Sequence, residues 1–379
     1  MTVNPSLKTP KPRLLSLDVF RGITVAAMTL VNNPGSWAHI YPPLEHSEWN
    51  GCTPTDLVFP FFLFIVGVSI VYSMESRKQD ATQHKKLLWN VIRRGVTLFV
   101  LGLILNLFPT FQFQTVRIPG VLQRIAVVYL ITGVLYLYQN KKTLLIIFWV
   151  ILVGYFLIMT LIPVPGVGYA NLNPETNLGA WIDRAVLTEA HLWKSSKTWD
   201  PEGILTDIPA VATCIFGVLI GTFLRRKDQN DAQKVSWLFS VGVLATVAGL
   251  IVDLFFPINK ALWTSSFVLY AGGLATIGLT LLYWLTDVQG YRSFTKFFVV
   301  FGVNPITVFF LSGIIPRIMS RIIVTLHGKP VDSKTYLMET FYTPYFTPIN
   351  ASLAGGLTYV LIWFIILWLM YRKNIIIKV

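Results

Sequence analysis

A chain of 379 residues with 54% hydrophobic and only 13% charged residues, and a mean hydropathy of +0.60, is too apolar to cover itself with a water-compatible surface. Its solvent is lipid, and apolar segments plus connectors use up nearly the whole length, so residues 1–379 are expected to form one transmembrane domain with no separate soluble unit. The net charge of +13 would suggest a nucleic-acid partner in a soluble protein, but here its distribution serves membrane orientation, and no nucleic acid is expected.

Crossing a bilayer takes about 20 mostly apolar residues. Windows of that kind predict an all-α, polytopic bundle of about ten transmembrane helices. In chain order they are Leu14–Asn33, Thr55–Met74, Trp89–Phe108, Pro119–Tyr138, Leu144–Ile162, Leu205–Leu224, Val235–Phe255, Ala261–Leu285, Phe297–Ile315 and Leu353–Tyr371. Lys8, Lys11 and Arg13 precede the first run, but Asp18 and Arg21 interrupt what would be the apolar core of a signal peptide, so an uncleaved first helix is expected. With the N-terminus placed in the cytoplasm, the inner segments carry 18 Lys+Arg and the outer loops 9. That bias predicts both termini on the cytoplasmic side of a bacterial-type inner membrane. Three long outer loops, Pro34–Pro54, Pro163–Ile204 and Pro316–Ser352, are rich in Pro, Gly, Trp and polar residues, and loops of such length are usually functional or disordered. Their aromatic content argues against disorder.

Charges inside spans are costly and mark function by default. Asp18 and Arg21, three apart on the first helix, share a face and can pair, as a structural ion pair or as part of a ligand site. Arg124, beside Gln123 near the outer end of the fourth helix, needs a carboxylate, and Asp56, Asp207 and Asp253 all fall near outer helix ends. His46 precedes Trp49-Asn50-Gly51 and the second helix; it is either a solvated loop residue or a proton-transfer group or nucleophile. No pair of outer histidines has metal-ligand spacing, so no metal is expected. Gly217 and Gly221 let another helix approach closely. Cys52 and Cys214 make no disulfide framework, and the chain carries no phosphate loop, dinucleotide fingerprint or serine-hydrolase elbow.

Several strings together resemble a known family. Leu17-Asp18-Val19-Phe20-Arg21-Gly22, Val31-Asn32, His46-Ser47-Glu48-Trp49-Asn50-Gly51 and Thr55-Asp56-Leu57-Val58-Phe59-Pro60 are similar, in that order, to the start of the heparan-α-glucosaminide N-acetyltransferase family. Arg117 to Arg124, Trp199-Asp200-Pro201-Glu202-Gly203-Ile204 and Asn259-Lys260-Ala261-Leu262-Trp263-Thr264-Ser265 look like later blocks, so the resemblance runs from Leu15 to about Asn304. It implies a transmembrane acetyltransferase that takes acetyl-CoA from the cytoplasm and acetylates an amino sugar outside. His46 matches the catalytic histidine, Asn32 an asparagine placed near it, and Arg124 the arginine of the glutamine-arginine block. Ala261 departs from the second asparagine of many members, which leaves the polymeric substrate open.

On this basis Arg21, Arg93, Arg94, Arg124, Trp263 and Asn304 are expected to bind the donor, Arg93 and Arg94 serving either its phosphates or helix orientation. Asn32 or Asn304 would hydrogen-bond the tetrahedral oxygen. Asp18, Trp49, Asn50, Asp56, Asp200, Glu202, Asp207 and Ser265 are expected to bind the acceptor or support the site. The expected partners are membrane lipid, acetyl-CoA, an amino-sugar acceptor and, as an allowed assembly, a second copy of the chain. The competing reading is a transporter of amino sugars, with Asn304-Pro305 as a helix break that binds solute.

Overall fold

The computed structural model describes residues 14–377; the basic residues Lys8, Lys11, Arg13 and Lys378 used in the orientation argument lie outside them. The helices are α1 Leu15–Val31, α2 Pro54–Lys78, α3 His84–Leu107, α4 Val121–Tyr138, α5 Lys141–Leu161, α6 Leu178–Leu187, α7 Asp207–Leu224 and α8 Asp231–Asp253. They continue with α9 Ser265–Leu282, which runs on through a π turn to Val288, then α10 Thr295–Val303, α11 Pro305–Met319, α12 Ser333–Phe341 and α13 Pro348–Arg372. An antiparallel hairpin, β1 Ile323–Leu326 with β2 Lys329–Asp332, precedes α12.

Among the described residues eight helices, α2 to α5, α7 to α9 and α13, are long and apolar enough to cross a membrane, and α10 with α11, bent by 78° at their junction, makes a ninth if the pair is one span. The remaining expected span, α1, has 17 residues and keeps Asp18 buried. The long loops also contain structure that apolar windows miss: α6 sits inside Pro163–Ile204, and the hairpin and α12 sit inside Pro316–Ser352.

Lipid provides no hydrophobic drive between helices, so close backbone approach has to hold them. A Cβ on Gly217 would stand 2.0 Å from the Phe64 carbonyl oxygen and one on Gly67 2.0 Å from that of Cys214. These glycines let α2 and α7 pack as the bundle's centre, which bears out the packing role read for Gly217 and Gly221. Around that pair lies a core that includes Leu63, Phe64, Val68, Ile215, Val218 and Phe267.

The helices alternate so that long loops gather at one end of the bundle and short turns at the other. At the loop end, Gly51 N–H donates to Ile258 O (2.7 Å), Ile118 N–H to His191 O (3.0 Å) and Gly35 N–H to Ser352 O (3.0 Å), joining segments far apart in sequence. At the short-turn end the Asp287 carboxylate accepts from Leu15 and Ser16 N–H (3.1 and 2.9 Å), capping α1 from 272 residues away. Both arrangements satisfy backbone donors that a helix or loop end leaves open.

Candidate active site

Asp56 lies in the first turn of α2 and is 1% exposed. Its position in a capping box with Thr53 brings one carboxylate oxygen to Thr53 N–H (3.0 Å) and Oγ1 (3.1 Å), and the same oxygen accepts Ser47 N–H (3.0 Å). The other oxygen stands 2.7 Å from His46 Nδ1. A carboxylate at this spacing accepts, so Nδ1 carries the proton and Nε2 keeps its lone pair. A helix cap thus doubles as the group that orients an imidazole, whose side chain remains 51% exposed at the loop end.

The loop carrying His46 is fixed from both sides. Asn259 Nδ2 donates to Asn50 Oδ1 (3.2 Å), and Trp49 Nε1 donates to Leu172 O (2.9 Å). Trp49 also meets Trp199 edge to face at 5.0 Å, and Trp199 meets Trp193 at 5.6 Å. Lys260 reaches over His46, with Nζ 3.1 Å from Nδ1 and 3.3 Å from Nε2, and stands 3.7 Å from Asp56. Burial pushes its ammonium below the usual lysine range, opposed by the nearby Asp56 and Glu202 carboxylates. Cys52, on the same loop, is pushed up to about 12 by burial, with Asp56 adding to the effect.

A second cluster braces this end. Arg117 Nε donates to Asp200 (2.8 Å) and Nη2 to Asp200 (2.5 Å) and Glu202. Burial alone would lower the Arg117 pKa, but Glu202 and Asp200 outweigh it and hold the guanidinium above its ordinary range. Arg124, 1% exposed, donates from Nε to Asp207 (2.8 Å) and from Nη2 to Gly203 O (3.3 Å) and Thr206, and lies 4.9 Å over the Trp263 ring. Its carboxylate is therefore Asp207 of the three considered. Nearby, burial raises the Asp183 carboxyl to about 7.

The other half of the molecule holds a cavity of about 620 Å³ between α1, α2, α3, α4 and α11. It begins at the short-turn end, where Leu14, Tyr72, Ser73 and Ile376 line it, and reaches Met28, Phe62 and Leu122 toward the loop end. Along α2 that depth, Ser73 to Phe62, is about 16 Å. Arg21, Arg94, Ser69 and Tyr129 supply its polar wall. Arg21 pairs with Asp18 (3.1 Å), as the spacing suggested, and also donates to Ser69 Oγ (3.0 Å).

Several expected site residues stand elsewhere. Arg93 and Arg94 lie ten and eleven residues into α3 rather than at its end, and only Arg94 lines the cavity. Asn32 caps the end of α1 and is exposed, and among the described residues no hydrogen bond joins it to His46. Asn304, at the α10–α11 break, uses both side-chain ends on the C-terminal segment: Nδ2 donates to Ile375 O (3.0 Å) and Oδ1 accepts Ile377 N–H (2.8 Å). Trp263 is fully buried and donates to Thr213 Oγ1 (3.0 Å), while buried Ser265 donates to Leu152 O (2.7 Å); neither lines the cavity. Asp200 and Glu202 are held by Arg117. Arg117 and Lys260 stood inside quoted blocks without a role of their own, and Asp183 was not singled out. Each is an ordinary charged residue in a loop or short helix, with no motif of its own beyond the blocks already quoted.

The family model for heparan-alpha-glucosaminide N-acetyltransferase, catalytic, matches residues 13–247. The chain is 33% identical over 355 residues to a human protein named heparan-alpha-glucosaminide N-acetyltransferase, covering 79% of this chain and 52% of that protein. To the mouse protein of the same name it is 32% identical over 356 residues, covering 78% and 53%. The chain spans about half the length of the curated relatives it matches.

Proposed function

Since the chain belongs to the heparan-α-glucosaminide N-acetyltransferase family, we propose that it transfers acetyl from acetyl-CoA, held in the cavity, to the amine of a glucosamine-type sugar at the loop end. The observation that carries this reading is the Asp56–His46 pair, with Nε2 left as a base beyond the deep end of a cavity of ligand size. Phe62 at that deep end is six residues along α2 from Asp56, about 9 Å of helix, a span that an extended thioester arm can bridge.

Arg94, on the α3 wall of the cavity beside Tyr129, is placed for the donor's anionic groups, and the apolar lining suits its arm. At the other end, the sugar amine arrives next to His46 with Trp49 and Trp199 as aromatic surface. The free amine attacks the thioester carbonyl carbon, His46 Nε2 takes the amine proton, and the C–S bond breaks as the tetrahedral intermediate collapses. The departing thiolate then receives that proton, so the products are the acetamide and free CoA thiol. Asp56 holds Nδ1 throughout and stabilises the imidazolium. In this reading the cavity opens to the cytoplasm, the loop end faces outward, and lipid surrounds α5, α8 and α13.

The test is thiol release by detergent-purified protein given acetyl-CoA and glucosamine, with the acetylated sugar identified by mass. His46→Ala is expected to lower turnover by about 10² to 10⁴ while donor binding by calorimetry is kept. Proteoliposomes that accumulate unmodified sugar without releasing thiol would establish the transporter instead.

A further inference from the structure

Lys260 projects from the turn between α8 and α9, and that turn is firmly built. Leu262 N–H donates to Asn259 Oδ1 (2.8 Å), Asn259 N–H to Thr264 Oγ1 (3.1 Å), and Thr264 Oγ1 to Pro257 O (2.9 Å). The Gly51–Ile258 backbone bond ties the turn to the His46 loop. The Lys260 side chain is only 18% exposed. Its Nζ is almost equidistant from the two ring nitrogens of His46, at 3.1 and 3.3 Å. A position in the ring plane between them would run into Cε1, so the ammonium stands over the ring face. The Nε2 lone pair therefore stays open in the plane, with a positive charge beside it.

A counter-ion for buried Asp56 is the plainer role for such a lysine, but the geometry gives it little to do. Asp56 already accepts from His46 Nδ1, Ser47 N–H and both Thr53 donors. Lys260 stands 3.7 Å away, beyond hydrogen-bond length, and nearer to the imidazole than to the carboxylate. Since Nζ is 3.3 Å from Nε2, a reacting centre within reach of the base is also within reach of the ammonium.

We propose that Lys260 is a catalytic residue of the transfer, the donor that meets the carbonyl oxygen of the acetyl group as it becomes an oxyanion. The inference rests on the reading of His46 as the base that acts on a thioester. When the amine nitrogen bonds to the carbonyl carbon, the π pair moves onto oxygen, and a Lys260 N–H donates to that oxygen. The amine proton goes to Nε2, the pair returns, the thiolate leaves, and the proton follows it to give free thiol. Lys260 keeps its three protons throughout, and no oxidant or further reactant is needed. A preorganised cation at a developing oxyanion acts where charge appears only in the transition state, so it favours turnover over ground-state binding.

The experiment compares Lys260→Gln and Lys260→Arg with Lys260→Cys before and after alkylation by 2-bromoethylamine, which rebuilds an ammonium on a thioether arm. The cysteine variant is made in a Cys52→Ser background, since Cys214 is fully buried and the only other thiol. Lys260→Gln is expected to lower kcat by about 10² to 10³, with the calorimetric Kd for acetyl-CoA within about threefold. Aminoethylation of the cysteine variant should recover about tenfold or more of the lost kcat on the same folded sample, which no loss of fold can imitate. An active wild type with Lys260→Gln within threefold of it in kcat overturns the role of Lys260 alone. So does a cysteine variant that stays inactive after complete alkylation. A wild type that releases no thiol overturns the transferase reading and this inference with it.

Discussion

Replacing Asp56 by asparagine tests the site at one atom. Oδ2 of Asp56 takes three donors, Ser47 N–H and the two from Thr53, whereas Oδ1 takes His46 Nδ1. An asparagine can keep its oxygen in the first position, because three donors there would reject an amide NH₂. The NH₂ then faces His46 Nδ1 and donates to it, which makes Nδ1 the acceptor and moves the ring proton to Nε2. The side chain that should take the amine proton is now already protonated at the reacting atom. General-base catalysis contributes about 10² to 10⁴, and a wrong tautomer forfeits it even when the geometry survives. At 1.36 kcal/mol per decade this is about 3–5 kcal/mol of barrier. The capping box is retained, so the melting temperature should move by only a few degrees, whereas Asp56→Ala removes its N3 half, leaves the Ser47 and Thr53 donors without their acceptor and costs about 1 kcal/mol or more of stability. Donor affinity should be unchanged for both, since Asp56 does not line the cavity. The assay pairs thiol release with calorimetric donor binding on Asp56→Asn and wild type of matched melting temperature. Turnover of Asp56→Asn within fivefold of wild type would refute the assignment of Nε2 as the base.

Four further outcomes are expected. The Asp183 carboxyl is raised from 3.8 to about 7 by burial, so the folded state binds its proton more tightly than the unfolded chain and loses stability as pH rises from about 4 to 7. Asp183→Asn should therefore gain melting temperature relative to wild type across that range and level off above it; a pH-independent difference would count against the shift. Gly217→Ala places a methyl against the Phe64 carbonyl and should cost about 3 kcal/mol through separation of α2 and α7; an unchanged thermal melt would contradict the packing. Arg94→Gln should weaken acetyl-CoA binding by about tenfold, the scale of a lost charged hydrogen bond, and Arg93→Gln should not; equal Kd values for the two variants would remove Arg94 from the donor site. Reporter fusions at Lys141 and Ser195 should report opposite sides of the membrane, and a shared side would overturn the alternation of helices on which the proposed sidedness rests.

Apolar periodicity made the long helices legible, because a segment that must satisfy its backbone internally and face lipid leaves a run of some twenty residues in the sequence. Local spacing likewise exposed the Asp18–Arg21 pair and the small residues of α7. What escaped was set by contacts between distant segments. Lys260 meets His46 across 214 residues, and Arg117 meets Asp200 across 83. A lysine in a loop looks the same whether water or an imidazole lies beside it. The amphipathic α6 and α12 were hidden for a related reason, being short and mixed in polarity, so that no window distinguishes them from loop. Asp56 was legible as a helix-start carboxylate, but its second duty, to His46, depends on how the loop folds back.

The break at Asn304-Pro305 was the feature that most favoured a transporter, since interrupted helices in such proteins turn their free ends toward a solute. The structure contains the break, with a bend of 78°, but its side chain is already committed. Asn304 Nδ2 and Oδ1 bracket the backbone of Ile375 and Ile377, and its own carbonyl accepts Val308 N–H at 3.2 Å. Pro305 has no N–H to offer. The Asn304 side chain is therefore closed to a solute unless the C-terminal segment moves, while Gly302, Val303, Pro305 and Ile306 on either side of the break line the cavity. His46, its side chain half-exposed, stands at the far end of the bundle from the start of the cavity. A carrier needs one site that both sides reach in turn, whereas the transfer proposed above uses two, a cavity for the donor and a separate base for the acceptor, so that two reactants approach from opposite ends and meet only at the bond being made.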